Sequence, residues 1–163
     1  MRKLTAILAA GMFSLYSASA MAASYIGPIS SDNQVAAAAN TAYAITMKSD
    51  PATGYKLEGS KLTILKGGDY FVIAAAQVGG SVAGNIWLWT RINGKDVPDS
   101  NSIQNIPSKD FTTVLVSQGE VTFKAGDVLE IMYQASAPGL GLIATKPANM
   151  PAVPSMIFTV YKN

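Results

Sequence analysis

Cysteine and histidine are both absent from the 163 residues. Without cysteine there is no disulfide framework, so the fold must be held by burial alone, and no thiol nucleophile or thiolate metal site exists. Without histidine the chain lacks the commonest general base and the commonest transition-metal ligand. Ser-His-Asp chemistry, Cys-His chemistry and histidine- or cysteine-ligated zinc hydrolysis are therefore closed to it. An enzyme built on this chain would have to use carboxylates, lysines or tyrosines. Glu58, Glu120 and Glu130 are isolated in sequence, which gives no support to a paired-carboxylate glycosidase. We assign no catalytic residue, no cofactor and no metal ligand. Basic runs are also lacking: after Lys3 no two basic residues adjoin, which removes the main driving force for binding a phosphate backbone and excludes nucleic acid as a partner.

What is present begins at the N-terminus. Arg2 and Lys3 precede an apolar run from Leu4 to Leu15, followed by Ala18-Ser19-Ala20 and Ala20-Met21-Ala22. A charged start, a short apolar middle and an Ala-x-Ala end predict a bacterial-type signal peptide over residues 1–22. The run is too short, and too soon interrupted by Ser14, Ser17 and Ser19, to make a good membrane span. The expectation is an exported protein, extracellular, on the cell surface or periplasmic, with no stable membrane insertion after cleavage. Arg2 and Lys3 are two of the 12 basic residues, so the remainder balances the 10 acidic ones.

Past that segment the chain reads as all-β. Residues 23–40 are small and polar, and serve either as a flexible leader or as a first strand. Residues 41–163 then show short apolar runs separated by turn residues. Candidate strands are Tyr43–Met47, Lys61–Leu65, Tyr70–Val78, Ile86–Ile92, Lys95–Val97, Phe111–Val116, Gly119–Phe123, Val128–Ala135, Leu140–Thr145 and Met156–Lys162. Asn93-Gly94 is the favoured pair of a tight type I′ hairpin, since both positions accept positive φ. Pro98–Pro107 reads as a polar loop, and Pro147–Pro154 as a proline-broken one. No convincing helix, internal repeat or further domain boundary is visible.

The order of these motifs resembles the tumour-necrosis-factor-like jelly roll, shared with the globular heads of complement's first component. Gly68-Asp69-Tyr70-Phe71-Val72 resembles the entry to that family's long central strand. The alternating strand ending at Asn93-Gly94 resembles the strand and turn that follow. Gly126-Asp127-Val128 resembles the turn before the penultimate core strand, and Pro154-Ser155-Met156-Ile157-Phe158 the closing strand. The likeness spans roughly Tyr43 to Tyr161. Two features depart from it: Val160 stands where the family usually has glycine, and these residues contain no collagen-like stalk. The resemblance implies a single two-sheet antiparallel sandwich whose inner sheet packs about a threefold axis. It thereby implies self-association as a homotrimer.

Alternation along the strands says which side chains need covering. Ile86, Leu88 and Ile92 share one face with Thr90, and Trp87, Trp89 and Arg91 share the other. Met156, Phe158 and Val160 oppose Ile157, Thr159 and Tyr161. Leu129, Ile131 and Tyr133 oppose Val128, Glu130, Met132 and Gln134. Strands apolar on both faces belong to sheets buried on both faces. In the resembled family such strands form the inner sheet, so Trp87, Trp89, Tyr133 and Tyr161 are the expected subunit-interface residues. Other readings are a loop of the same chain covering the tryptophans, or a carbohydrate-binding module in which Trp87 and Trp89 stack on sugar rings. A different class again is a fibre subunit, with residues 23–40 inserted as a strand into a neighbour. That segment lacks the alternating large apolar residues of a donor strand. Asp96, Asp99, Asn101 and Asp110 supply oxygen donors close together in sequence, but without the ordered spacing of a calcium loop. The function expected is non-catalytic, in surface or matrix structure, adhesion or ligand recognition. Recognition would use the loops Gly79–Asn85, Val97–Lys109 and Ala144–Val153.

Overall fold

The computed structural model describes residues 25–49 and 54–162. The signal peptide predicted over residues 1–22 lies outside the described residues. Short strands open the described chain: β1 (Tyr25–Ile26), β2 (Ile29–Ser30), β3 (Gln34–Val35), β4 (Ala42–Ala44), β5 (Tyr55–Glu58) and β6 (Lys61–Ile64). The longer framework follows as β7 (Gly68–Gly80), β8 (Gly84–Ile92), β9 (Lys95–Asp96), β10 (Ser102–Ile106), β11 (Thr112–Phe123), β12 (Val128–Ala135), β13 (Leu140–Leu142) and β14 (Met156–Lys162). No helix occurs among the described residues.

These strands form two antiparallel sheets of seven strands each. The first is centred on β7, which pairs with β11 along one edge and with β14 and then β13 along the other. Two short strands, β1 and β2, extend it beyond β14, and β3 extends it beyond β13. The second runs β10-β8-β12-β6-β5, with β4 also on β12 and β9 on β8. The chain changes sheet between β3 and β4, β6 and β7, β7 and β8, β10 and β11, β11 and β12, and β12 and β13. That is a jelly roll.

Period-two alternation places the core between the sheets. Tyr70, Val72, Ala74, Ala76 and Val78 of β7 face inward with Met156, Phe158 and Val160 of β14. They meet Ile86 and Leu88 of β8, Leu129, Ile131 and Tyr133 of β12, and Leu62 and Ile64 of β6. Within the first sheet, Phe158 stands opposite Ala74 and Met156 opposite Ala76. A large side chain beside a small one lets the two layers interdigitate without a void. Tyr70 packs edge-on against Phe123, with ring centroids 5.5 Å apart, and its hydroxyl donates to Lys66 O at 2.6 Å, so its polar end is satisfied.

Two motifs noted separately in the sequence meet in space. Asn93 and Gly94 take φ of 50° and 77°, as the tight hairpin requires. Asn93 Nδ2 donates to Asp127 Oδ1 at 2.9 Å, while Val128 N donates to Asn93 Oδ1 at 2.9 Å. Lys124 N donates to the other Asp127 oxygen at 2.7 Å. The Asn-Gly turn and the Gly-Asp turn thus lock each other at one end of the second sheet. The Asn93 amide, and after it the Lys124 backbone, hold the Asp127 carboxyl below its usual range.

Several sequence expectations are corrected. The stretch Pro98–Pro107, read as loop, contains β10, an edge strand on β8 whose polar alternation buries little besides Ile106. Phe111–Val116 and Gly119–Phe123 are one strand, because Gly119 lies in register opposite Val72 and breaks nothing. Strand β5 is an addition to the expected strands, and the pairing expected over Tyr43–Met47 shortens and shifts to Ala42–Ala44, with Ile45 and Met47 still buried beyond it.

Candidate functional site

With the inner faces spent on the core, each sheet leaves one outer face for a partner, and the two differ. On the first sheet, Val116, Ala75, Ile157 and Ile29 fall in one row across β11, β7, β14 and β2. The next rows carry Gln118, Ile73 and Thr159, then Glu120, Phe71 and Tyr161. Val114 is added at the other end, opposite Gln77. Val114, Val116, Ile29, Ile157 and Tyr161 are all exposed large hydrophobics, and Ile157 near the centre is 47% exposed. These exposed apolar side chains, with Gln118, Thr159 and Glu120 among them, make this sheet face a candidate interaction surface. Its border is polar: Thr122 Oγ1 donates to Asp69 Oδ1 at 2.6 Å beside Glu120.

The outer face of the second sheet is aromatic and polar together. Trp87 stands in register between Ile103 of β10 and Gln134 of β12, and Trp89 is opposite Met132. Trp89 is only 9% exposed, and its Nε1 donates to Asp96 Oδ1 at 2.7 Å. The same oxygen accepts from Arg91 Nε at 2.7 Å. Asp96 reaches this position because the hairpin returns β9 alongside β8, pairing it with Arg91. The Arg91 guanidinium first, and the Trp89 indole second, hold the Asp96 carboxyl below its usual range. Beside this cluster lies an open cavity of about 290 Å³ lined by Trp87, Trp89, Asp96, Val97, Asn101 and Gln134.

The expected interface residues are therefore not brought together. Trp87, Trp89 and Tyr133 lie on the second sheet and Tyr161 on the first. Tyr133 moreover faces inward: it is 3% exposed, stacks on Tyr43 at 5.5 Å, and burial pushes its phenol up to about 12. The assignment of all these strands to one inner sheet fails because the crossovers put β8 and β12 in one sheet and β14 in the other. Of that set, Tyr161 alone belongs to the apolar face, in company with Phe71, Ile73, Val114, Val116 and Ile157. The signal for the larger patch was in the sequence, in the apolar character of both faces of β7.

The oxygen donors considered for calcium are dispersed. Asp96 is engaged by Trp89 and Arg91, while Asp99 and Asp110 occupy turn positions with φ of 60° and 63°. Among the described residues no three acidic side chains gather as a metal site would need. Glu130 accepts from Ser60 Oγ at 2.9 Å and Glu58 pairs with Lys56 at 2.7 Å, so two of the three isolated carboxylates have structural partners, while Glu120 has no side-chain hydrogen bond or ion pair among the described residues. Among the described residues, no helix is long and apolar enough to cross a membrane.

No protein-family model matches the chain. No curated protein matches it either. Among solved structures it is similar to murine APRIL at pH 5.0, with 13% identity and a TM-score of 0.62 over 86% of this chain and 99% of that one. Crystals of murine APRIL at pH 8.0 and pH 8.5 give 11% and 10% identity, each with a TM-score of 0.61 and the same coverage. Likeness at this identity speaks to the fold, which is the tumour-necrosis-factor-like jelly roll.

Proposed function

We propose that this chain is an exported, non-catalytic building block. It assembles as a homotrimer through the outer face of the β11–β7–β14 sheet and serves in surface or matrix structure, adhesion or ligand recognition. One observation carries the reading: the row Val116, Ala75, Ile157 and Ile29, with Ile73, Phe71 and Tyr161 beside it, is apolar on the side facing away from the core. Proteins of the tumour-necrosis-factor-like fold form trimers, and an apolar sheet face turned away from the core is what such an assembly would cover. Completing the burial of each half-covered side chain here is worth about 1 kcal/mol. Several such residues per subunit, on each of three subunits, suffice to offset the entropy of association.

Strand exchange is the weaker reading. Strands β1 and β2 already pair with β14 of their own chain, and β3 pairs with β13. Donating them to a neighbour would first cost those bonds. The test is the solution mass of the purified protein by light scattering after size exclusion. Three chain masses, unchanged on dilution, is the expected result; a stable monomer would remove the assembly from the reading, and open-ended polymers would favour strand exchange.

A further inference from the structure

We propose that the cavity on the outer face of the second sheet binds a neutral saccharide, one sugar ring seated against Trp87. This site is separate from the apolar face of the first sheet, and stands or falls independently of trimer assembly.

The two tryptophans are alike in sequence and unlike in place. Trp89 is buried with its indole N–H committed to Asp96, which makes it a support. Trp87 is half-buried and lines the cavity, and the Trp87 indole has no hydrogen-bond partner among the described residues. An indole face carries negative quadrupole charge and attracts the weakly positive C–H face of a pyranose ring. Around it stand the groups a sugar's hydroxyls require. The side-chain amides of Asn101 and Gln134 line the same cavity and make no hydrogen bond among the described residues. Each amide offers donors and an acceptor, the combination that matches a hydroxyl able to act as both. Asp96 adds a fixed carboxylate whose Oδ1 is occupied by Trp89 and Arg91, leaving Oδ2 to accept from the ligand.

The remaining chemistry narrows the ligand. A volume of about 290 Å³ sits at the lower end of ligand cavities, which run from about 300 to 1,000 Å³, so one ring fits better than an extended chain held along its length. Asp96 disfavours an acidic sugar or a phosphate. A quaternary ammonium is also disfavoured, because Arg91 already answers the charge of Asp96 and a cation would find no uncompensated anion. A protein partner would want a wider apolar centre, whereas here Asp96, Asn101 and Gln134 share the cavity with Trp87, Trp89 and Val97, and Ile103 adds one exposed apolar side chain beside Trp87.

The chain's only tryptophans are Trp87 and Trp89, so its tryptophan fluorescence reports on this site alone. The purified protein is titrated with glucose, galactose, mannose, fucose, N-acetylglucosamine, lactose and cellobiose, with sialic acid and tetramethylammonium alongside. The expected result is a saturable emission change with at least one neutral sugar and none with the two charged probes. Trp87→Ala should abolish binding, followed through Trp89 and by calorimetry. Gln134→Ala and Asn101→Ala, which remove only exposed or half-buried amides, should each weaken it about tenfold, with the solution mass unchanged. Absence of saturable binding to every sugar up to tens of millimolar, in fluorescence and on a glycan array, overturns the proposal. So does a response to tetramethylammonium alone, or sugar binding that survives both amide substitutions.

Discussion

The two outer faces of this sandwich share one backbone geometry and differ in what stands at every second position. On the first sheet that position holds Val114, Val116, Gln118 and Glu120 on β11, Phe71, Ile73, Ala75 and Gln77 on β7, and Ile157, Thr159 and Tyr161 on β14. On the second sheet it holds Asn85, Trp87, Trp89 and Arg91 on β8, with Glu130, Met132 and Gln134 on β12. The first set is mostly apolar and gains where that apolar part is covered from water. The second carries donors and acceptors around an aromatic ring, and gains where a small ligand can match them. One fold therefore presents a surface suited to its own copies and another suited to something hydroxylated.

The difference can be broken most severely from within. Phe158 and Ile157 are neighbours on β14, one fully buried and the other 47% exposed. Phe158→Ala should cost about 3–5 kcal/mol in urea unfolding, whereas Ile157→Ala in the separated monomer should cost under about 0.5 kcal/mol. Equal losses would mean that the outer face is covered within its own chain. Next in size is a charge placed on each outer face. Ile157→Asp should reduce the solution mass from three chains to one, because an unpaired carboxylate cannot be buried between subunits without a large penalty. Ile103→Asp is the control, since Ile103 is as exposed, at 57%, but on β10 of the other sheet. It should leave the mass unchanged, and dissociation by Ile103→Asp would exchange the roles of the two faces.

How much of this was readable in the sequence follows from the range over which each property is set. The inward and outward residues of β8, β12 and β14 were legible because alternation is local, and Ile86, Leu88, Leu129, Ile131, Phe158 and Val160 fall where the period places them. The jelly roll was legible because its turns, at Asn93-Gly94 and Gly126-Asp127, have their own chemistry. Sheet membership was not, since nothing within Ile86–Ile92 or Met156–Lys162 records which neighbour the crossovers will supply. That is why Tyr133 and Tyr161, similar on paper, end on opposite sheets with opposite exposure. Strand β10 leaves little trace in the sequence because an edge strand with one solvated flank needs few apolar residues. The grouping of Asn101 and Gln134 around Trp87 joins three separate segments, so no spacing rule could have shown it.

The smallest expected effect concerns pH, and it sharpens the contrast by acting on one face. Asp96 titrates below its ordinary value of 3.8 because Arg91 and Trp89 bond to its charged form. A carboxyl lowered on folding contributes stability above its unfolded value and loses it as pH falls through the folded one. The tie from Trp89 to Asp96 should accordingly hold unchanged from neutral pH to about pH 4 and be released only below 3.8. Tryptophan emission should be flat across the first range and shift in the second, and any sugar affinity should follow the same course. Asp127 is also lowered, but it lies at the Asn93 turn, so Asp96→Asn should remove the acid step in emission while leaving other acid changes in place. A midpoint above 3.8 in the unsubstituted protein, or a step that survives Asp96→Asn, would show that the Trp89 environment is set by something other than this carboxylate.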